Sequence, residues 1–222
     1  MSLHYETVTP QLRSILEDLM GNSVFDPFYL VGGTSLSLRL GHRMSVDIDL
    51  FTNATYGSLD FSVFESYLRD NYNYYYCTDI TNIVGMGRSY YVGDSEDDHI
   101  KLDMYYRDEM TDNCDIIDGI RLASMEDVIG MKVDVISRQG RKKDFWDLHE
   151  LFNSYTIEEI LAIHAARYEY THNREEIIAN FTDFSLADEE IDPICLKDKE
   201  WELIKLDFVE NIESIQQNKD NN

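Results

Sequence analysis

The chain has 222 residues, 43 of them Asp or Glu and 19 Lys or Arg, for a formal net charge of -24. That balance excludes a protein that coats nucleic acid with a broad basic surface, and a hydrophobic fraction of 43% with only 3 prolines excludes an acidic disordered chain. It has no apolar run of roughly 18 residues and no signal-peptide core at its polar start, so a cytoplasmic setting without membrane contact is expected.

In chain order, the first expected element is a helix over residues 9–21, with Thr9 as cap and Pro10 in the first turn. The apolar run Phe28-Tyr29-Leu30-Val31 reads as a strand closed by Gly32-Gly33, and a short helix follows over 34–41. Residues 46–51 alternate acidic and apolar side chains, as a half-buried strand does. A helix over 60–71 precedes further strands at 72–76, 89–92 and 100–106. From Ser124 the period becomes helical, with segments at 124–138, 142–154, 156–169, 173–183 and 198–217 and a capping box at Thr156-Ile157-Glu158-Glu159. The expectation is an α+β protein: an α/β core over 1–123, then a helical region over 124–222 that completes the cleft. Cys77, Cys114 and Cys195 are odd in number and widely spaced, which suits reduced packing residues.

The chemistry concentrates on the strands. Asp47 and Asp49 are two positions apart on one strand, so both carboxylates leave the same face with Cα atoms roughly 7 Å apart. Asp103 offers a third acid on another strand. At about 4 Å, each like-charge pair costs on the order of 4 kcal/mol at an effective dielectric of 20, and a divalent cation reverses that sign. Hard oxygen ligands suit Mg²⁺ or Mn²⁺; an isolated Asp-x-Asp is otherwise a solvated strand face. What favours the cation is Gly32-Gly33-Thr34-Ser35, which follows a strand and opens a helix, so its amides and hydroxyls are placed to hold phosphate oxygens. An EF-hand loop is excluded by Phe51 and Thr52, where a ligand and a glycine are needed.

Lys132 has Val128, Ile129, Val135 and Ile136 three and four residues away, which places it on an apolar stripe. It requires either an anion or a route for its stem to solvent. Asp144 and Asp147, one turn apart near a helix start, fit capping as well as catalysis. Arg138, Arg141, Lys142 and Lys143 form a basic cluster that reads either as a phosphate guide or as a solvated turn, and Arg39 and Arg43 add to its field if the helix at 34–41 faces the cleft. The tyrosines of 72–76 suit strand packing, with base stacking as the alternative. Residues 183–220 hold twelve acids against four lysines, so the negative charge is regional.

Gly-Gly-Thr, a short helix, Asp-x-Asp and a later Asp on a separate strand resemble the nucleotidyltransferase fold of the DNA polymerase beta superfamily. More narrowly, Gly32 to Leu36, Gly41-His42-Arg43, Ser45, Asp47 to Phe51, Lys132 and Arg141 to Leu148 resemble the AbiEii/AbiGii and MenT toxins of bacterial toxin–antitoxin and abortive-infection systems. The resemblance covers residues 28–152. It implies a mixed sheet with flanking helices and a C-terminal helical bundle. It also implies NMP transfer from an NTP to an acceptor hydroxyl, with tRNA as acceptor and an antitoxin as partner. Asp47, Asp49 and Asp103 become Mg²⁺ or Mn²⁺ ligands. Gly32, Gly33, Thr34, Ser35, Arg43 and Lys132 become nucleotide contacts, Asp144 the acid of the last motif, and Arg138 to Lys143 the tRNA patch. Where the family often has Arg before that acid, this chain has Lys143, which keeps charge but loses bidentate geometry. A small-molecule or protein acceptor, and a non-catalytic nucleotide-binding module, are the rival readings.

Overall fold

In a computed structural model of the chain, the described residues are 2–78, 84–107, 110–111 and 113–220. The backbone forms two compact units: Met1–Arg39 with Ser45–Ser124, and Leu40–Met44 with Met125–Asn222.

The first unit is built on a mixed sheet of strands β1 (Tyr29–Leu30), β2 (Asp47–Thr52), β3 (Tyr74–Cys77), β4 (Gly87–Ser95), β5 (Asp98–Tyr106), β6 (Cys114–Ile117) and β7 (Ile120–Ala123). Their order is β3-β4-β5-β2-β1-β7-β6; β2 with β5 and β1 with β7 are parallel, and the other pairs are antiparallel. Alternation along the central strands sends Leu30, Ile48, Leu50, Leu102, Met104 and Leu122 into the core. Helix α1 (Pro10–Gly21) buries Leu12, Ile15, Leu16 and Leu19 at helical spacing, and the Thr9 side chain accepts from the Leu12 amide. Helix α3 (Phe61–Asn71) contributes Phe61 and Phe64, which meet Phe28 edge to face. Tyr72 ends α3 instead of opening a strand: its hydroxyl, with that of Tyr67, donates to Asp18 of α1. The β6–β7 hairpin lies outside the sequence expectation. Its turn is Asp118-Gly119, with φ of 53° and 81°, the two positive values that a tight two-residue turn demands.

The second unit consists of helices α4 (Met125–Ile136), α5 (Lys142–Leu151), α6 (Ile157–Arg167), α7 (Arg174–Phe181) and α8 (Trp201–Asp220). Val128, Ile129, Val133 and Ile136 of α4 are buried, and α6 lies against α4, where Arg167 donates to Asp127 at 2.7 Å. A Cβ at Gly130 would press on Arg167, so the glycine permits this approach. Phe145, Phe181 and Phe208 are fully buried, and Trp146 stacks on Trp201. The segment 40–44 packs here through Met44 to Ile194 and Leu196 to His42 backbone hydrogen bonds of 2.8 and 2.9 Å. The change in sequence periodicity near residue 123 carried no sign of that excursion.

Candidate functional site

In the first unit, parallel pairing of β2 with β5 sets Asp47 beside Lys101 and Asp49 beside Asp103. The residues between them are core, so these four side chains share the partly open face of the sheet. Lys101 Nζ donates to Asp103 Oδ2, whereas Asp103 Oδ1 is buried without a hydrogen-bond partner among the described residues. Burial opposes the Lys101 charge, but Asp103, with Asp49 and Asp47 behind it, holds its pKa above the ordinary lysine value. Among the described residues no three Asp, Glu, His or Cys side chains are gathered into a ready cation cage. The donor chemistry nevertheless suits a hard cation: two carboxylates two positions apart on one strand, and a third, beside one of them, with an unmatched oxygen.

Helix α2 (Gly32–Leu40) begins two residues before the expected start. The Val31 amide donates to the Asp49 carbonyl at 2.9 Å, and Gly32 turns the chain with φ of 67°. A Cβ at Gly32 would overlap the Asp49 carboxylate, so glycine is what lets the positive helix end lie against this acid. Gly33 is partly open, but the Thr34 and Ser35 side chains are buried. The Thr34 hydroxyl donates to the Asp47 carbonyl and pairs with Ser45 Oγ at 2.8 Å. The hydroxyl thus ties α2 to β2, while Ser35 Oγ is buried without a hydrogen-bond partner among the described residues and the first-turn backbone amides remain as donors.

In the second unit, Asp147 is wholly buried and receives four donors. Arg43 reaches it twice, Nε to Oδ1 at 2.6 Å and Nη2 to Oδ2 at 2.8 Å; His42 Nε2 lies at 2.7 Å and Lys132 Nζ at 2.9 Å. Lys132 also donates to Asp144 Oδ1 at 2.8 Å, and Asp144 Oδ2 accepts the Arg141 amide at 3.0 Å. Burial raises the Asp147 pKa, but Arg43 and Lys132 outweigh it and hold the group well below the carboxylate range. Lys132 and Arg141 likewise lower Asp144 against its burial. The anion required by a lysine on an apolar stripe is therefore this pair of acids, and Arg43 is committed to Asp147. The signal available in the sequence was the spacing of Asp144 and Asp147 one turn apart; nothing local linked them to His42 and Arg43.

The remaining cations do not form one free patch. Lys142 is buried, paired with Asp192 at 2.9 Å and placed over the Trp201 ring. Arg138 pairs with Asp134 at 2.6 Å. Arg141 and Lys143 border a cavity of about 370 Å³ together with Glu190, Ile191 and Pro193. Arg39 belongs to the first unit, where it donates to the Ala123 carbonyl at 2.6 Å and pairs with Asp115 at 3.0 Å.

No helix among the described residues is long and apolar enough to cross a membrane. A protein of Aquifex aeolicus (strain VF5), described as uncharacterized, is 30% identical over 152 residues, covering 64% of this chain and 66% of that one. The chain thus spans just under two thirds of that relative. Solved structures share the fold, JHP933 and MenT4 among them. JHP933 from Helicobacter pylori aligns with a TM-score of 0.58 at 20% identity, over 98% of this chain and 92% of its own. MenT4, a nucleotidyltransferase toxin from Mycobacterium tuberculosis, aligns with a TM-score of 0.59 at 14% identity, over 91% and 82%. The family model for the nucleotidyl transferase AbiEii toxin, type IV toxin–antitoxin system, matches residues 14–220, almost the whole of both units, and the chain therefore belongs to the AbiEii family of nucleotidyltransferases.

Proposed function

We propose that the chain transfers an NMP from an NTP to an acceptor hydroxyl, with release of pyrophosphate, as the toxin of a toxin–antitoxin pair. The observation that carries this reading is the juxtaposition of Asp49, Asp103 and the Gly32–Gly33 helix end on one open sheet face. Asp47, Asp49 and Asp103 are the residues to hold Mg²⁺ or Mn²⁺, which when bound supplies charge neutralisation for the triphosphate and lowers the pKa of an attacking hydroxyl. The amides at the start of α2 bind phosphate oxygens, and the rigid pairing of β2 with β5 fixes the acids relative to them. Lys132, Asp144, Asp147 and Arg43 enter as positioning residues, because their charges satisfy one another. Arg141 and Lys143, beside their cavity, are the candidate contacts for tRNA phosphates.

The acidic surface favours a second reading in which the acceptor is a cationic small molecule or a protein. Incubation with α-labelled NTPs and Mg²⁺, with purified tRNA in one arm and an aminoglycoside or lysate protein in others, separates the two. Label on tRNA that disappears in Asp49→Asn is the expected result. Label on the other acceptors alone transfers support to the second reading, and label on none removes both. Growth inhibition that survives Asp49→Ala points to a non-catalytic partner-binding role.

A further inference from the structure

The open face of β2 and β5 carries three acids and one base in a two-by-two block: Asp47 beside Lys101, Asp49 beside Asp103. Strands in such a pair lie about 4.8 Å apart, so the Lys101 stem reaches any of the three carboxylates without backbone movement. It is seated on Asp103, whose side chain is 19% exposed, while its own remains 35% exposed. The pair is thus half-buried, with solvent access on the lysine side. Among the described residues Asp103 is used at one oxygen only, the other being buried and unmatched. An unmatched buried carboxylate oxygen is unfavourable, and a cation binding both oxygens removes that penalty.

We propose that Lys101 is a resident counter-ion of the carboxylate centre: it occupies Asp103 in the resting chain, a divalent cation must displace it, and the released ammonium then neutralises phosphate oxygens arriving on the same face. This rests on the reading of Asp47, Asp49 and Asp103 as cation ligands. It differs from a static salt bridge in requiring that the lysine compete with the metal and cooperate with the nucleotide.

The test is direct Mn²⁺ titration of the full chain by electron paramagnetic resonance without nucleotide, followed by equilibrium dialysis of labelled NTP at saturating Mn²⁺. Lys101→Met is expected to bind Mn²⁺ about fivefold tighter than the parent, the scale of one partly screened charge interaction, and to bind NTP about fivefold more weakly. Lys101→Arg, which keeps the charge, should bind Mn²⁺ no tighter than the parent. Lys101→Gln serves in place of Lys101→Met if the latter does not fold. Mn²⁺ affinity unchanged or weakened in the neutral variants overturns the counter-ion role, while loss of Mn²⁺ binding in Asp49→Asn keeps the carboxylate reading intact. Absence of Mn²⁺ binding in the parent and in Asp49→Asn alike overturns both.

Discussion

At the scale of single residues, Asp147 concentrates the charge of the second unit: one buried carboxylate receives Arg43, His42 and Lys132. Asp147→Asn leaves two buried cations without their shared anion. It should destabilise the chain by about 3–5 kcal/mol in urea unfolding at neutral pH, the range for breaking a buried ion pair from one side. The pH dependence has a definite sign. A carboxylate whose folded pKa is depressed contributes stability that is complete above its unfolded pKa and is lost as pH falls through the folded value. Parent stability should therefore fall steeply below about pH 4, and Asp147→Asn should show a shallower acid slope. Gly32→Ala tests the other unit. The new Cβ meets the Asp49 carboxylate and the residue keeps a φ of 67°, so a loss of about 1–2 kcal/mol is expected. Transfer of label should fail in this variant even where circular dichroism shows the fold retained.

At the scale of elements, α6 carries a second proton-linked contact. His164 is buried, stacks on Tyr168 and shares a hydrogen bond of 2.8 Å with His172. Burial, and then His172, push its pKa down to about 4. The unfolded chain takes up this proton first, so the associated stability is present above about pH 6.5 and declines as pH falls towards 4. His164→Gln should flatten the urea midpoint between pH 7 and 5. In the β6–β7 hairpin a Cβ at Gly119 would touch nothing within 4 Å, so Gly119→Ala isolates the backbone cost of its positive φ, about 1–2 kcal/mol in the same assay. These elements also show what was legible. Strand β2 was readable because Asp47 to Phe51 alternates strictly, and α1 because Thr9 and Pro10 mark its start. The hairpin was missed although Asp-Gly between apolar pairs is its usual signature; the run around it is short and mixed in polarity. Asp47 and Asp49 were readable as sharing a face, two positions apart on one strand, but Lys101 was passed over, and its place beside Asp47, like that of Asp103 beside Asp49, depends on register. Pairing of Lys132 and Arg43 with Asp147 joins positions far apart in sequence, which no local period encodes.

At the scale of the whole molecule, a charge of -24 implies self-repulsion that screening should relieve. The melting midpoint should rise as NaCl is increased from about 0.02 to about 0.5 M, where the Debye length has fallen well below 10 Å. A midpoint that does not move would mean that the unpaired acids are spread widely enough for their mutual repulsion to be negligible. The negative excess of 183–220 reaches the Arg141 and Lys143 cavity through Glu190, which lines it with them. The excursion of Leu40–Met44 bears on how the protein is made. Its partners Asp147 and Ile194 leave the ribosome long after it does, so a nascent chain ending at Ser124 holds all three strand carboxylates but has an unanchored connection between α2 and β2.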